Sequence, residues 1–424
     1  MTGLSSAASV VVVGAGVSGR AAAISASEHG ANVVLIDEGP IIDLAQPGIS
    51  LRPNTLVWGL FRDHQVALIT DGKVERLCPE AIILATGGRD RLAAFPGWTL
   101  PGIKPLVDLQ TEGADRPLTG ATCVVAGTGP RLLLAAADIV RRGGRVVAVV
   151  DGCAPAGDDH DAGTERELRA AGVAIRNQSK VVRAGGTERI SDVTIAGIDD
   201  SWNVVAGSEQ TLAADMLFLH YGVIASLELA RMIECAVDFD PARGGWTVTH
   251  DAGMRTSQPG IYAAGEICGI GTSKLATATG RLAGLSAAVD LGALDRATYE
   301  SARSELQSEI AELNVESGRI NLASIPGSAI ARLIQPETVV CPCEQIMAAD
   351  ISEALAEGAV TFNDFKRRTR CGMGMCQARI CSPILASYVE HAAGYSPKDV
   401  GLMTSRPPVK PIPLAALAAA ADVG

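Results

Sequence analysis

Apolar runs and segments of helical period alternate along the chain. Ser9 to Val13 is a β-branched run, and Gly14-Ala15-Gly16-Val17-Ser18-Gly19 follows at once. A helical pattern from Arg20 to Gly30 leads to a second apolar run, Asn32 to Ile36, ending on Asp37-Glu38. The same order returns from Thr119 to Ala126, through Gly127-Thr128-Gly129-Pro130-Arg131-Leu132, a helix from Leu132 to Arg142 and a strand from Arg145 to Val150 ending at Asp151. Strand, glycine turn, helix, strand is the βαβ unit, which builds buried parallel sheets.

Between these units the period changes. Residues 55–70 alternate as strands, and Asp71-Gly72 is a hairpin turn before Val74 to Leu77. Ala81 to Leu84 is a buried strand closed by Ala85-Thr86-Gly87-Gly88. Gly260 to Glu266 is another strand ending on glycine and an acid, with Gly269-Ile270-Gly271 beyond it. Leu275 to Val289 and Tyr299 to Leu313 have helical period, and Ala331 to Val340 reads as a linker around Pro336. Asp350-x-x-Glu353 reads as a capping box opening a helix that stops near Gly358, and Asn363-Asp364 opens another. From Arg406 a proline-rich tail reads as an extended strap over a neighbouring domain or subunit.

Composition narrows the classes. With 424 residues, 47% of them hydrophobic, two or three cored domains are expected. A formal charge of −11 argues against nucleic acid, which requires a basic face, and 4% aromatics argue against a carbohydrate or base-stacking surface. No apolar run reaches the roughly 18–20 residues of a membrane span. MTGLSSAAS shows neither a basic region nor a cleavage site, so a cytoplasmic protein with reduced thiols is expected.

The chemistry lies in two places. Gly14, Gly16 and Gly19 form GxGxxG between strand and helix, with Asp37 23 residues after the first glycine. Gly14 permits the tight turn, Gly16 the approach of a pyrophosphate, and Gly19 close helix packing, while Asp37 or Glu38 takes the ribose hydroxyls. The second turn has Leu132 in place of the third small residue, so a working dinucleotide site (NAD(P) or ATP) and an idle structural domain both remain open there. The other place is Cys341 to Cys381. Cys341/Cys343 and Cys371/Cys376 form two tight pairs, with Lys366, Arg367, Arg368 and Arg370 leading into the second. Four such thiolates suit a [2Fe–2S] cluster, whose charge the four cations would offset. A structural zinc site is the alternative, although a single Pro342 between the first pair fits zinc spacing less well. Cys381 reads as a core residue beside the site, and Cys78, Cys123, Cys153, Cys235 and Cys268 as scattered small hydrophobes. His29, His64, His160, His220, His250 and His391 form no ligand-spaced pair, and no acid–base constellation is evident, so no catalytic residue is assigned.

The three flavin-type motifs, in this order, resemble the glutathione-reductase-like flavoproteins. That resemblance implies FAD held by Gly14, Ala15, Gly16, Val17, Ser18, Gly19, Asp37, Glu38, Val57, Ala85, Thr86, Gly87, Gly265, Glu266, Thr272 and Ser273. Glu266 stands where most members have Asp, and the segment between Asp37 and Thr55 is shorter than usual, leaving part of the flavin wall to a partner chain. The cysteine module resembles the helical domain of bacterioferritin-associated ferredoxin (BFD), implying Cys341, Cys343, Cys371 and Cys376 as ligands of a [2Fe–2S] cluster. With Phe95-Pro96-Gly97-Trp98-Thr99-Leu100-Pro101-Gly102 and the Arg406 to Leu414 tail, the chain is similar to the alpha subunit of heteromeric amine dehydrogenases. That group includes opine oxidases, D-hydroxyproline dehydrogenases, hydrogen cyanide synthase and part of sarcosine oxidase alpha.

The resemblance implies an α/β fold with two Rossmann-like domains and a small helical C-terminal domain. Expected boundaries are 1–115 and 245–333 for the FAD domain, 116–244 for an inserted NAD(P)-like domain, 334–400 for the cluster domain and 401–424 for the tail. It also implies an electron-transfer role. A beta subunit with its own FAD, of the D-amino-acid-oxidase type, oxidises a secondary amine, and a small third subunit completes the assembly. The location implied is cytoplasmic, peripheral to the inner membrane only through an electron acceptor. A stand-alone NAD(P)H-dependent reductase and a non-catalytic scaffold with a zinc site of four cysteines are the other readings.

Overall fold

In the computed structural model, which describes residues 9–41, 44–111, 117–154, 162–324 and 326–421, the first apolar run is strand β1 (Val10–Val13), buried along its whole length. After it come α1 (Val17–Glu28), β2 (Val33–Ile36), β3 (Ile49–Arg52), β4 (Thr55–Phe61), β5 (Gln65–Thr70), β6 (Lys73–Leu77) and β7 (Ala81–Leu84). The chain divides into two compact units, the first made of Met1–Arg89, Ile224–Leu322 and Thr404–Gly424 and the second of Asp90–Val223 and Ala323–Met403.

In the first unit a parallel sheet runs in the order Ile261–Ala263, β7, β1, β2, β3. The register sets Val13 opposite Ile36 and Leu84, and Ala263 opposite Leu84. The strands therefore end level, and Gly14, Asp37, Ala85 and Ala264 line one edge. Helix α1 packs against the helix Ser273–Asp290 through small side chains, with Ala22, Ala23 and Ala26 fully buried. A Cβ at Gly280 would meet the Ser18 carbonyl and one at Gly284 the Ala22 carbonyl, so both glycines are needed for the helices to come so close. The expected hairpin is present, with Thr70 opposite Lys73, and β4, β5 and β6 form an antiparallel sheet.

The segment after Asp37 carries β3 and no helix among its described residues, consistent with its short length. The tail lies on this first unit. The Val409 N–H donates to the Trp58 carbonyl at 2.9 Å, Lys410 pairs with Glu38, and the helix Leu414–Ala421 packs on β6.

A second parallel sheet organises the other unit, in the order Ala174–Arg176, Arg145–Asp151, Thr122–Gly127, Met216–His220, Ile103–Pro105. The helices Ala348–Ala356, Phe362–Thr369 and Cys381–Ala393 share one apolar core with it, containing Phe95, Val124, Leu217, Val340, Phe362 and Leu385. Phe95 to Gly102 is the joint. The Trp98 indole N–H donates to the Val339 carbonyl at 2.7 Å, and a Cβ at Gly97 would strike the Ala184 carbonyl.

Two local expectations need correction. Asp350 does not open its helix: it is the third residue, and its carboxylate accepts from the Met347 N–H at 2.8 Å. Cys78 is exposed and not a buried hydrophobe. His160 lies outside the described residues.

Candidate functional site

At the level edge of the first sheet, Gly14 has φ +103° and a Cβ there would run into the Ala85 carbonyl. A Cβ at Gly19 would run into the Gly14 carbonyl, which fixes α1 close over the turn. Gly16 differs: nothing lies within 4 Å of a Cβ built on it. The cradle is therefore tight where backbone meets backbone and open where a pyrophosphate would approach, so these residues fit a dinucleotide.

Asp37 accepts the Ala15 N–H at 2.6 Å and the Gly39 N–H at 2.8 Å. It braces the turn while each oxygen keeps a second lone pair for a ribose hydroxyl. Glu38 is paired with Lys410 of the tail. Val17 is exposed, and Ala15, Ser18 and Val57 are buried.

The later motifs arrive at the same edge. The Thr86 hydroxyl donates to the Ser226 carbonyl at 2.7 Å. Gly87 has φ +63°, and a Cβ there would lie 3.5 Å from Glu266 Oε2, so the second and third motifs meet. The Gly265 N–H donates to Thr279 Oγ1 at 3.1 Å, and Gly265 faces Ser18 closely. Thr272 is the N-cap of Ser273–Asp290, its hydroxyl accepting from the Leu275 N–H at 3.3 Å. All sixteen residues expected at the cofactor lie in the first unit. Lys410 was missed, because nothing in the tail's sequence marks which acid it meets.

The second glycine turn is braced by an acid in the same way as the first. Asp151 accepts the Gly129 and Cys153 N–H groups at 3.2 and 2.9 Å. The Trp202 ring stands where a Cβ on Gly152 would be, and Ser324 lies 3.5 Å from the position of a Cβ on Gly129. The Cys153 thiol donates to the Ala323 carbonyl at 3.7 Å. Behind the turn, His220 and Asp90 form a buried pair at 2.6 Å.

In the cysteine module, the sulfurs of Cys341, Cys371 and Cys381 lie within 4.8 Å of one another, all buried. Cys376 is hydrogen-bonded to the exposed Cys343. Cys341 is pulled down to about 2 by hydrogen bonds from the Cys371 and Cys381 thiols, helped by the Gly372 and Glu344 N–H groups. Burial and the neighbouring Cys343 push Cys376 up. A Cβ on Gly374 would run into Cys343 Cβ, so the loop between Cys371 and Cys376 needs glycine there.

The structure thus groups the expected ligands Cys341 and Cys371 with Cys381, and Cys343 with Cys376; sulfurs so gathered, with backbone N–H groups aimed at them, fit a metal or cluster. The cations contribute less than expected. Arg367 pairs with Asp364 at 2.8 Å, Arg368 with Glu357 at 2.8 Å and Arg370 with Glu344 at 3.0 Å, so three of the four are matched by carboxylates. Cys381 joins the sulfurs more intimately than its reading as a core residue implied. Its equal spacing in Cys371-x4-Cys376-x4-Cys381 was the available signal.

Comparisons agree with this geometry. Residues 41–289 match the pyridine nucleotide-disulphide oxidoreductase family, residues 9–52 an FAD binding domain, and residues 335–421 the sarcosine oxidase A3 domain. The chain is 30% identical to hydrogen cyanide synthase subunit HcnB of Pseudomonas protegens, over 96% of each chain. It is 30% identical to an opine oxidase subunit from Rhizobium meliloti, over 96% of this chain and 87% of that one. Among solved structures, L-proline dehydrogenase from P. horikoshii superposes with a TM-score of 0.72 at 18% identity, over 97% of this chain and 79% of that one, a likeness of fold. The chain thus belongs to the FAD-binding pyridine nucleotide-disulphide oxidoreductase family, in the group that holds these hydrogen cyanide synthase and opine oxidase subunits. No described helix is long and apolar enough to cross a membrane.

Proposed function

We propose that this chain is the electron-transfer subunit of a heteromeric dehydrogenase acting on the C–N bond of an amino acid or opine, holding FAD and a [2Fe–2S] cluster. A partner subunit carrying its own flavin oxidises the amine, and this chain passes the electrons to an acceptor. The observation that carries the reading is the gathering of sulfurs, Cys341 and Cys371 with Cys381 in one buried group and Cys343 hydrogen-bonded to Cys376, in a chain that also has the open FAD turn at Gly16. The matched relatives are named as subunits, one of them of an opine oxidase, which supports a multi-chain assembly.

When bound, FAD exchanges one or two electrons and a [2Fe–2S] cluster exchanges one, so the two together divide a hydride equivalent into single steps. The chain's own residues hold and tune. Gly14, Gly16 and the N-terminus of α1 receive the pyrophosphate. Asp37 and Glu266 would meet the ribose and ribityl ends, and Thr272 and Ser273 begin a helix whose N-terminus would favour the reduced, anionic flavin. Cys341, Cys343, Cys371 and Cys376 would hold the cluster, with the Gly372, Glu344 and Ile380 N–H groups directed at sulfur. The acids by the flavin turn are engaged with backbone and Lys410, consistent with positioning and not with proton transfer.

An NAD(P)H-dependent reductase would need the second turn, where Leu132 stands in place of the third small residue. The test is anaerobic. The purified chain is mixed with its amine-oxidising partner and substrate, and flavin and cluster absorbance are followed. Bleaching by amine plus partner, with none by NADH alone, is expected. Bleaching by NADH and none by the amine and partner would reject the proposal.

A further inference from the structure

The first glycine turn suits an anionic pyrophosphate, yet two acids, Asp37 and Glu38, stand side by side at the same sheet edge. Like charges there oppose the cofactor unless each acid is offset. Asp37 is offset by the Ala15 and Gly39 N–H groups, at 2.6 and 2.8 Å. Among the described residues the one partner of the Glu38 carboxylate is Lys410, whose Nζ donates to Oε1 at 2.6 Å and also to Oε2. The tail that carries Lys410 is seated by other contacts. Val409 is buried and donates its N–H to the Trp58 carbonyl at 2.9 Å, and a Cβ on Gly59 would lie 3.4 Å from Pro407. Further on, Ala416 of the helix Leu414–Ala421 joins Trp58, Ala67 and Ile69 in one apolar cluster. The strand beneath the tail, β4, is itself tied to the cofactor edge, because the Thr55 N–H donates to the Asp37 carbonyl at 2.8 Å.

We propose that Lys410 is a positioning residue for FAD: it neutralises Glu38 so that the anionic cofactor can settle on the first turn, and it thereby couples FAD binding to docking of the tail from Thr404 onward. The inference rests on FAD at the first glycine turn and on nothing in the cysteine module. The coupling is modest, because the Lys410 and Glu38 side chains are 40% and 57% exposed and solvent screens them. It is also reciprocal: a docked tail that favours FAD is favoured by FAD to the same degree.

The test uses the deflavinated full chain as wild type, Lys410→Met, Glu38→Gln and the double variant. Fluorescence titration gives the Kd for FAD at low and high salt, and hydrogen exchange is followed over residues 404–413 with and without FAD. Lys410→Met should bind FAD roughly 2- to 5-fold more weakly at low salt, a difference that shrinks at high salt. The double variant should return close to wild type, because the unpaired carboxylate is gone. FAD should slow exchange in the wild-type tail and slow it less in Lys410→Met. An unchanged Kd in Lys410→Met would overturn the proposal. So would a double variant as weak as Lys410→Met, which would leave the lysine a packing contact. Weaker binding in Glu38→Gln than in Lys410→Met would make Glu38 itself the ribose acceptor, again overturning it. A wild-type chain that takes up no FAD would refute the FAD reading and this proposal together, an outcome distinct from the others.

Discussion

Gly16→Ala separates the cofactor cradle from the fold. Gly16 has φ −66° and ψ −174°, ordinary extended backbone that alanine adopts without strain. A Cβ placed there meets nothing within 4 Å, whereas one at Gly19 would run into the Gly14 carbonyl. The deflavinated variant should therefore keep its stability, within about 0.5 kcal/mol, or gain slightly because alanine narrows the unfolded ensemble. The methyl group projects into the space that the pyrophosphate requires. Moving the phosphates off the turn weakens at least one charge-assisted N–H hydrogen bond, at about 1.5–3 kcal/mol. That corresponds to a Kd for FAD roughly 10- to 100-fold weaker. Fluorescence titration of the deflavinated chain gives the Kd, and thermal unfolding of the same sample gives the stability. An unchanged Kd with unchanged stability would show that FAD does not approach Gly16. A large loss of stability would show that the space is not open.

Three further outcomes are expected. Gly374→Ala, by forcing a Cβ onto Cys343 Cβ, should cut metal content by more than half while leaving FAD bound, as metal and flavin analysis will show. Asp290→Asn removes the charge and one of the two acceptor oxygens that hold Arg255, at 2.7 Å through two nitrogens, and the Tyr262 hydroxyl, at 2.6 Å. The Arg255–Asp290 pair is about a third exposed, so solvent screens it, and a loss of about 1–2 kcal/mol in unfolding free energy is expected; an unchanged melt would refute this. Lys180, 4% exposed, is lowered to about 8 by burial, with Arg332 adding to the effect. Between pH 8 and its unfolded value near 10.5 the unfolded chain binds the extra proton, so this group's contribution to stability rises with pH. Wild type minus Lys180→Met, compared by chemical unfolding at pH 7.5 and 10, should shift in favour of wild type at the higher pH.

Local chemistry was readable from the sequence, and long-range pairing was not. The Gly14 to Gly19 turn and the Thr70–Lys73 hairpin each depend on neighbours a few residues away, so spacing and residue type specify them. Part of the parallel strand order depends on which apolar runs meet across more than a hundred residues, and Ile261 carries no mark that its partner is Ile82. The shared core of the cysteine helices and the second sheet was equally hidden. Trp98 and Val339 are each simply apolar until the indole N–H finds its carbonyl. The ion pairs that take up Arg367, Arg368 and Arg370 follow from helix packing that no run of basic residues discloses. Cys381 lay in plain view at an equal spacing, but whether a fifth sulfur points inward is a matter of three dimensions.

The most direct measurement on the central claim is iron, zinc and acid-labile sulfide analysis of the anaerobically purified chain, with EPR of the dithionite-reduced sample. Two irons and two sulfides per chain, no zinc and a low-temperature S = 1/2 signal are the expected result. Stoichiometric zinc without sulfide, or a metal-free chain with full FAD, would contradict the account.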